Sequence, residues 1–439
     1  MTMRSHLVSI ALLAASAMVA GAQQRPAIRP LGATVSKASE TFTNVSAVRP
    51  LSNGGVLVND VGGRRVLLFN PQLSAFTIVA DSTSATANAY GGRVGGLIAY
   101  KGDSSLFVDP QSISMLVIDP GGKVARVMSL PRAQDAAMLS GILGTPALDP
   151  LGRLVYRTSP GFQTRSAGPG PGSGSGPGAF PVPDIPDSAA IVRIDLATRK
   201  LDTLGFIKTP KIKMDVSRDD NGNVRMSSQI NPLPVVDDWA MTPDGAVAFV
   251  RGRDYHVDWV QPDGSKVTAT KVPFEWQRMT DEDKVAFIDS VKAARARQGA
   301  SAPTAAVPGG SPSPAPASGG GAQIMIFGGP GGPGGGPPAR GSMSMQQSFI
   351  APSELPDYKP PFFAGSTRAD REGNLWIRTI PTSAVAGGPV YDVINRKGEL
   401  VDRVQVPAGR TIIGFGPAGS VYLINREGAT VSLERATVK

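Results

Sequence analysis

Hydrophobic residues in this chain come in short bursts, and a turn opens each burst. The clearest is Asp370-Arg371-Glu372-Gly373-Asn374-Leu375-Trp376-Ile377-Arg378. Asp starts the turn, Gly supplies the positive φ that a hairpin turn demands, and the apolar residues that follow suit a pleated, buried strand. Degenerate copies recur at Asn53-Gly54-Gly55-Val56-Leu57-Val58 and at residues 102–108, 149–156, 243–249 and 417–423. A short strand pattern precedes each turn, as in Trp239-Ala240-Met241. A second phrase follows most copies, at residues 65–70, 115–122, 191–195, 257–264 and 391–398. Each of these is a strand that ends in an Asp or Asn turn and leads into another strand.

One unit is therefore strand, turn, strand, loop, strand, turn, strand. Four antiparallel strands repeating about every 40–50 residues match the period of a propeller blade. Six units predict an all-β fold: a six-bladed β-propeller of four-stranded antiparallel blades, occupying residues 23–439 as a single domain. A long parallel β-helix is the alternative, but it has shorter repeats and strands that do not pair off around Asp/Gly turns. The sixth unit stops one strand short. Residues 33–42 alternate loosely ahead of the first unit and are predicted to pair onto the last blade, which protects its open edge.

Three segments break the repeat. Residues 159–186 are dominated by Gly, Pro and Ser and read as a disordered loop. Residues 211–236 suggest another strand pair across Asn221-Gly222. The longest insertion, 273–361, opens with a helix predicted over 280–298. There Thr280 and Asp283 resemble a capping box, and Val285, Ile288, Val291 and Ala294 fall on one face, flanked by Phe287. Residues 299–345 are low-complexity and read as disordered. The Asp/Gly turns all lie on one face of such a ring, and all three insertions lie on the other. Loops on one face of a repeat array are where binding usually sits.

The N-terminus changes the setting. Arg4, an apolar run from Leu7 to Val19 and Ala20-Gly21-Ala22 read as a secretory signal cleaved near Ala22. The run falls short of the roughly 20 residues needed to span a bilayer. The expectation is an exported protein, periplasmic or extracellular, without a membrane span. There is no cysteine, so disulfides, thiolate metal sites and cysteine nucleophiles are excluded. The net charge of +9 favours anionic partners. No Lys/Arg cluster interleaved with aromatics is present, which argues against nucleic acid.

The six phrases, best formed at 370–377, resemble the bacterial exported six-bladed propellers related to NHL-repeat and TolB-like proteins. Residues 355–362, leading into that phrase, are similar to a blade junction of exported members. The resemblance implies fold over nearly the whole chain outside the signal and the low-complexity inserts. The implied functions range from binding scaffolds to sugar-lactone hydrolases, and no catalytic residue carries over by motif.

Candidate chemistry is sparse. After signal removal the remaining histidine is His256, with Asp254 two residues away. A histidine-dependent base must use it, and an ordinary strand histidine is the competing reading. Propeller lactonases of the resembled group hold calcium in the central channel. Here Asn59, Asp60 and Asp109 follow the second strands of their units and are the candidate ligands. The ligand-bearing face also collects Arg64, Arg65, Arg93, Arg251, Arg253, Arg378, Arg410 and Arg426. Of these, Arg65, Arg93, Arg251, Arg253, Arg378 and Arg410 are the candidates for gripping a carboxylate or phosphate. The leading expectation is a non-catalytic binding or scaffold protein, without a cofactor, that takes an anionic ligand or a protein partner on this face. The alternative is a calcium-dependent lactonase-type hydrolase.

Overall fold

The computed structural model describes residues 25–83, 90–92, 94–141, 144–159, 163–165, 182–218, 224–300, 344–382, 386–428 and 430–438. The chain is mostly β, built from several four-stranded antiparallel sheets. The first sheet holds Val45–Pro50, Val56–Asp60, Arg65–Phe69 and Phe76–Asp81. The second holds Gly96–Ala99, Ser105–Asp109, Ser114–Ile118 and Val124–Ser129. The third holds Ala147–Leu148, Arg153–Arg157, Ser188–Asp195 and Leu201–Lys208. The fourth holds Asp238–Met241, Val247–Arg251, His256–Val260 and Lys266–Thr268. The fifth holds Phe362–Ala369, Leu375–Thr379, Val390–Ile394 and Leu400–Gln405, with Ile28–Pro30 added in parallel at its edge. The sixth holds Arg410–Phe415, Ser420–Glu427 and Thr430–Thr437, and Thr34–Phe42 pairs antiparallel with the last of these.

Alternation along each second strand sends side chains to two different cores. In the fifth sheet, Leu375 and Ile377 pack toward the fourth sheet with Trp259 and Val257, while Trp376 packs toward the sixth with Ile412 and Val421. Val56 and Val58 face the sixth sheet beside Tyr422 and Leu433, while Leu57 faces the second beside Phe107. Leu154 meets the second sheet and Val155 the fourth. Each sheet thus shares a core with the next, and the sixth shares one with the first. Full burial of each such side chain is worth about 1.5–3 kcal/mol.

Turn chemistry and core chemistry meet at Asp370. Its Oδ1 accepts the N–H groups of Glu372 and Asn374 at 3.0 and 2.8 Å, and Gly373 turns the chain at φ 87°. Its Oδ2 accepts the indole N–H of the buried Trp376 at 2.9 Å. The carboxylate that starts the turn therefore also satisfies the one polar atom of the core residue it introduces.

Helix α1 spans Asp281–Ala300. Its cap is reciprocal: Asp283 N–H donates to Thr280 Oγ1 at 3.2 Å, and Thr280 N–H to Asp283 Oδ2 at 2.9 Å. The buried stripe differs from the expected one. Val285 is exposed, and Lys284 is buried in its place beside Ile288. The stripe 284–288–291 follows the i, i+4, i+7 rule and leaves 285 off the face. Lys284 is tolerated there because Nζ reaches Asp357 at 2.7 Å. The helix seals a satellite core of Leu233, Met279, Ile288, Ile350 and Leu355, against which Phe363 and Ile380 of the fifth-sheet region pack.

Lys213–Arg218 and Val224–Ile230 pair antiparallel, and Ser344–Phe349 joins them in parallel. Their connecting turn at Asn221-Gly222 lies outside the described residues, as do residues 1–24, where the sequence predicts a secretory signal, and residues 301–343. Within 159–186, Gln163–Arg165 and Val182–Asp184 pair antiparallel, and residues 160–162 and 166–181 lie outside the description.

Three hairpins on the face opposite the Asp/Gly turns share one form. Second and third strands are joined by four residues, and the fourth adopts positive φ without being glycine: Arg64 at 50°, Ile113 at 53° and Tyr255 at 47°. A left-handed conformation costs an L-residue roughly 1–2 kcal/mol. Ile113 is exposed, so Ile113→Gly relieves that strain without opening a core. Set against the entropy cost of glycine, the expected gain is up to about 1 kcal/mol. A urea midpoint that falls instead would show that the loop is held by the isoleucine side chain.

Candidate functional site

The strand that follows each Asp/Gly turn ends on the opposite face, and its last residue is polar in all six sheets. These residues are Asp60, Asp109, Arg157, Arg251, Thr379 and Glu427. What each one does depends on its neighbours.

Asp60 is wholly buried and saturated. It accepts the N–H groups of Asn44 at 2.9 Å, Gly63 at 3.1 Å and Thr43 at 3.3 Å, plus Arg65 Nε at 3.1 Å. Asp109 accepts Gln111 N–H at 3.1 Å, Ser112 N–H at 3.2 Å and Ser112 Oγ at 2.6 Å. Asn59 donates to Ser46 Oγ and to the Gly95 carbonyl, and accepts from Tyr90 Oη at 3.0 Å. Burial pushes the Tyr90 hydroxyl up to about 12, against the hydrogen bonds of Gly95 and Asn59. The three side chains expected to offer oxygens to calcium already accept protein hydrogens. Both oxygens of Asp60 already accept two donors each, so an ion there must displace one of them. Among the described residues, no group of three His, Asp or Glu side chains is placed to hold a metal.

The arginines divide. Arg65 is neutralised by Asp60 and by Glu40 at 2.9 Å. Arg410 grips Glu434 with two nitrogens, at 2.7 and 3.2 Å. Arg251 bridges Asp258 at 2.7 Å and Asp237 at 2.8 Å, and lies over the Phe249 ring. Burial pushes the Asp258 carboxyl up, but the bonds from Arg251 and Thr268 outweigh it and hold it below the usual range. Arg378 is half-buried and acts on the Tyr391 hydroxyl through its charge. Arg253 is exposed. Arg93 lies outside the described residues.

Arg251 and Arg253 do come together, with a partner set that sequence reasoning only half assembled. Lys208, Val235, Asp237, Arg251, Arg253, Asp254, His256 and Asp258 line a depression of about 290 Å³. It lies where the outer strand of the third sheet meets the fourth sheet. Asp237 fastens the join: Oδ2 accepts Lys208 N–H at 3.0 Å, and Oδ1 accepts Gly252 N–H at 3.2 Å. His256 is held between carboxylates, with Nδ1 2.8 Å from Asp254 and Nε2 3.4 Å from Asp258. A general base needs a ring nitrogen free to face its substrate. Both nitrogens here face protein carboxylates, so the geometry is that of a bridging imidazole.

Once these internal pairs are counted, the carboxylates of the depression are committed. Arg253 and the Lys208 ammonium are left without an ion pair among the described residues. Lys208 was missed from sequence because it belongs to a different sheet, 43 positions from Arg251 by number. Only the packing of neighbouring sheets brings them together.

No protein-family model matches the chain, and no curated protein matches it. Solved structures do. A gluconolactonase from Xanthomonas campestris is 11% identical, with 95% of this chain and 98% of that one covered at a TM-score of 0.39. A calcium-binding regucalcin from Agrobacterium tumefaciens is 13% identical, covering 94% and 98% at 0.39. A virginiamycin B lyase from Staphylococcus aureus is 10% identical, covering 92% and 87% at 0.34. Likeness at this level concerns overall chain path and assigns no residue of this chain a role.

Proposed function

We propose that this chain is an exported six-bladed β-propeller that binds an anionic group in the depression between its third and fourth blades, without catalysis. The blade reading is supported by the sequence of shared cores, which runs from the first sheet to the sixth and returns to the first. The observation that carries the function is the charge bookkeeping of the depression. Arg251 is fixed by two carboxylates, His256 by two more contacts, and two cations remain on the lip. A bound carboxylate or phosphate meets Arg253 and Lys208 without competing with any acid of the protein. An acidic segment of a protein partner offers the same chemistry.

The test uses a fluorescent hexaglutamate peptide as probe. Two rim cations at roughly 0.5–1 kcal/mol each predict that Lys208→Ala/Arg253→Ala weakens binding about tenfold at low salt. The loss should shrink as ionic strength rises. Unchanged affinity in the double variant would sink the assignment.

A lactonase-type hydrolase using calcium is the second reading. Its own observable is a calcium-dependent rise in Tm, reversed by a chelator and absent in Asp109→Asn.

A further inference from the structure

His256 lines the depression with its ring held from both sides. Nδ1 lies 2.8 Å from Asp254 Oδ1, and Nε2 lies 3.4 Å from Asp258 Oδ1. A neutral imidazole has one N–H and one lone pair. Asp254, the nearer acid, takes that single N–H. The Nε2 lone pair then faces a carboxylate oxygen, which offers no hydrogen in return. The imidazolium donates to both carboxylates. The clamp is therefore complete only in the charged form of the ring.

The other charged groups around the ring come from four places. Arg251 stands opposite His256 on the neighbouring strand, but its guanidinium is taken by Asp237 and Asp258. Lys271 approaches Asp254 Oδ2 at 3.6 Å from the solvent side. Lys208 comes from the outer strand of the third sheet, and Arg253 from the hairpin just ahead of the histidine. Thr268, which is uncharged, donates to Asp258 Oδ1 at 2.7 Å. The lining thus sets Lys208, Arg251 and Arg253 against Asp237, Asp254 and Asp258. With a neutral ring these charges cancel. With an imidazolium the depression carries one net positive charge. Histidine is the side chain that ordinarily makes this change between about pH 5 and 8.

We infer that His256 regulates the depression by its proton: the anion is held more tightly when the ring is charged and more weakly when it is neutral. This rests on the anion-binding reading above. Asp254 holds the ring in either form, so the control is by charge and needs no movement of the chain.

Fluorescence titration of the full chain with hexaglutamate tests this, at one low ionic strength and at about pH 8 and about pH 5.5, toward the two ends of the histidine range. Glutamate side chains stay ionised between them. The wild-type Kd should fall about three- to tenfold on acidification, the effect of one added charge at a partly exposed site. His256→Asn and His256→Gln carry no titrating ring, and each should bind equally well at both pH values. Linkage is reciprocal, so saturating hexaglutamate should raise the titration midpoint of the imidazole proton resonance missing from His256→Asn by about 0.5–1 pH unit. Three results overturn the regulation while leaving anion binding intact: a wild-type Kd that does not fall, a fall that persists undiminished in both variants, or a resonance whose midpoint the peptide leaves in place. Hexaglutamate that binds at neither pH, or binds Lys208→Ala/Arg253→Ala as tightly as wild type, defeats the anion-binding reading and the regulation with it.

Discussion

Asp60→Ala should cost the protein about 3–5 kcal/mol, the range seen when one partner of a buried ion pair is removed. The carboxylate is fully buried and gathers three backbone N–H groups and the Arg65 guanidinium. Alanine leaves all four donors without an acceptor, and water cannot easily replace it at a wholly buried position. Arg65 keeps Glu40 and the Thr41 carbonyl, so the loss falls chiefly on the loop donors. Asp60→Asn should recover part of the loss, because one amide oxygen still accepts. Urea unfolding of the three proteins checks the order. If Asp60→Ala unfolds within 1 kcal/mol of wild type while the Tm of wild type responds strongly to calcium, Asp60 serves an ion rather than its loop.

The same residue shows where sequence reading ends. Asp60 and Asp109 close equivalent strands, and the turn-and-strand phrase located both. Their chemistry depends on Thr43, Asn44 and Ser112, whose contribution is a loop geometry that no spacing reveals. The architecture was legible because it is periodic: alternation and Asp/Gly turns recur, so each copy supports the others. The charged site was not, because charge pairing is a tertiary property. Arg65, Arg251 and Arg410 look alike in sequence to Arg253 and Arg378. They differ only in whether Glu40, Asp237 or Glu434 folds alongside.

Glu434→Gln should lose about 3 kcal/mol at neutral pH, and that deficit should disappear in acid. Glu434 is buried on the last strand of the sixth sheet. It receives both nitrogens of Arg410, the Asn425 amide at 3.2 Å and Thr34 Oγ1 at 3.3 Å. Burial pushes its carboxyl up, but the Arg410 bonds and charge, aided by Asn425 and Thr34, outweigh this and hold it below its ordinary 4.5. A depressed carboxyl contributes stability that is complete above its unfolded value and is lost as pH falls through its folded value. The wild-type and Glu434→Gln stability curves should therefore separate above about pH 4.5 and converge below it. Parallel curves across that range would show that the ionised form is not what Arg410 stabilises.

The sixth sheet also sets an order of events. Thr34–Phe42 pairs with Thr430–Thr437, and Thr34 Oγ1 reaches Glu434 across 400 positions of sequence. Whatever forms earlier must wait with an edge unpaired and with Val56 and Val58 lacking the neighbours they meet in the finished core. Contacts this distant along the chain slow folding. Until the two strands meet, the open edge is free to pair with a strand of another molecule, so the join also guards against aggregation.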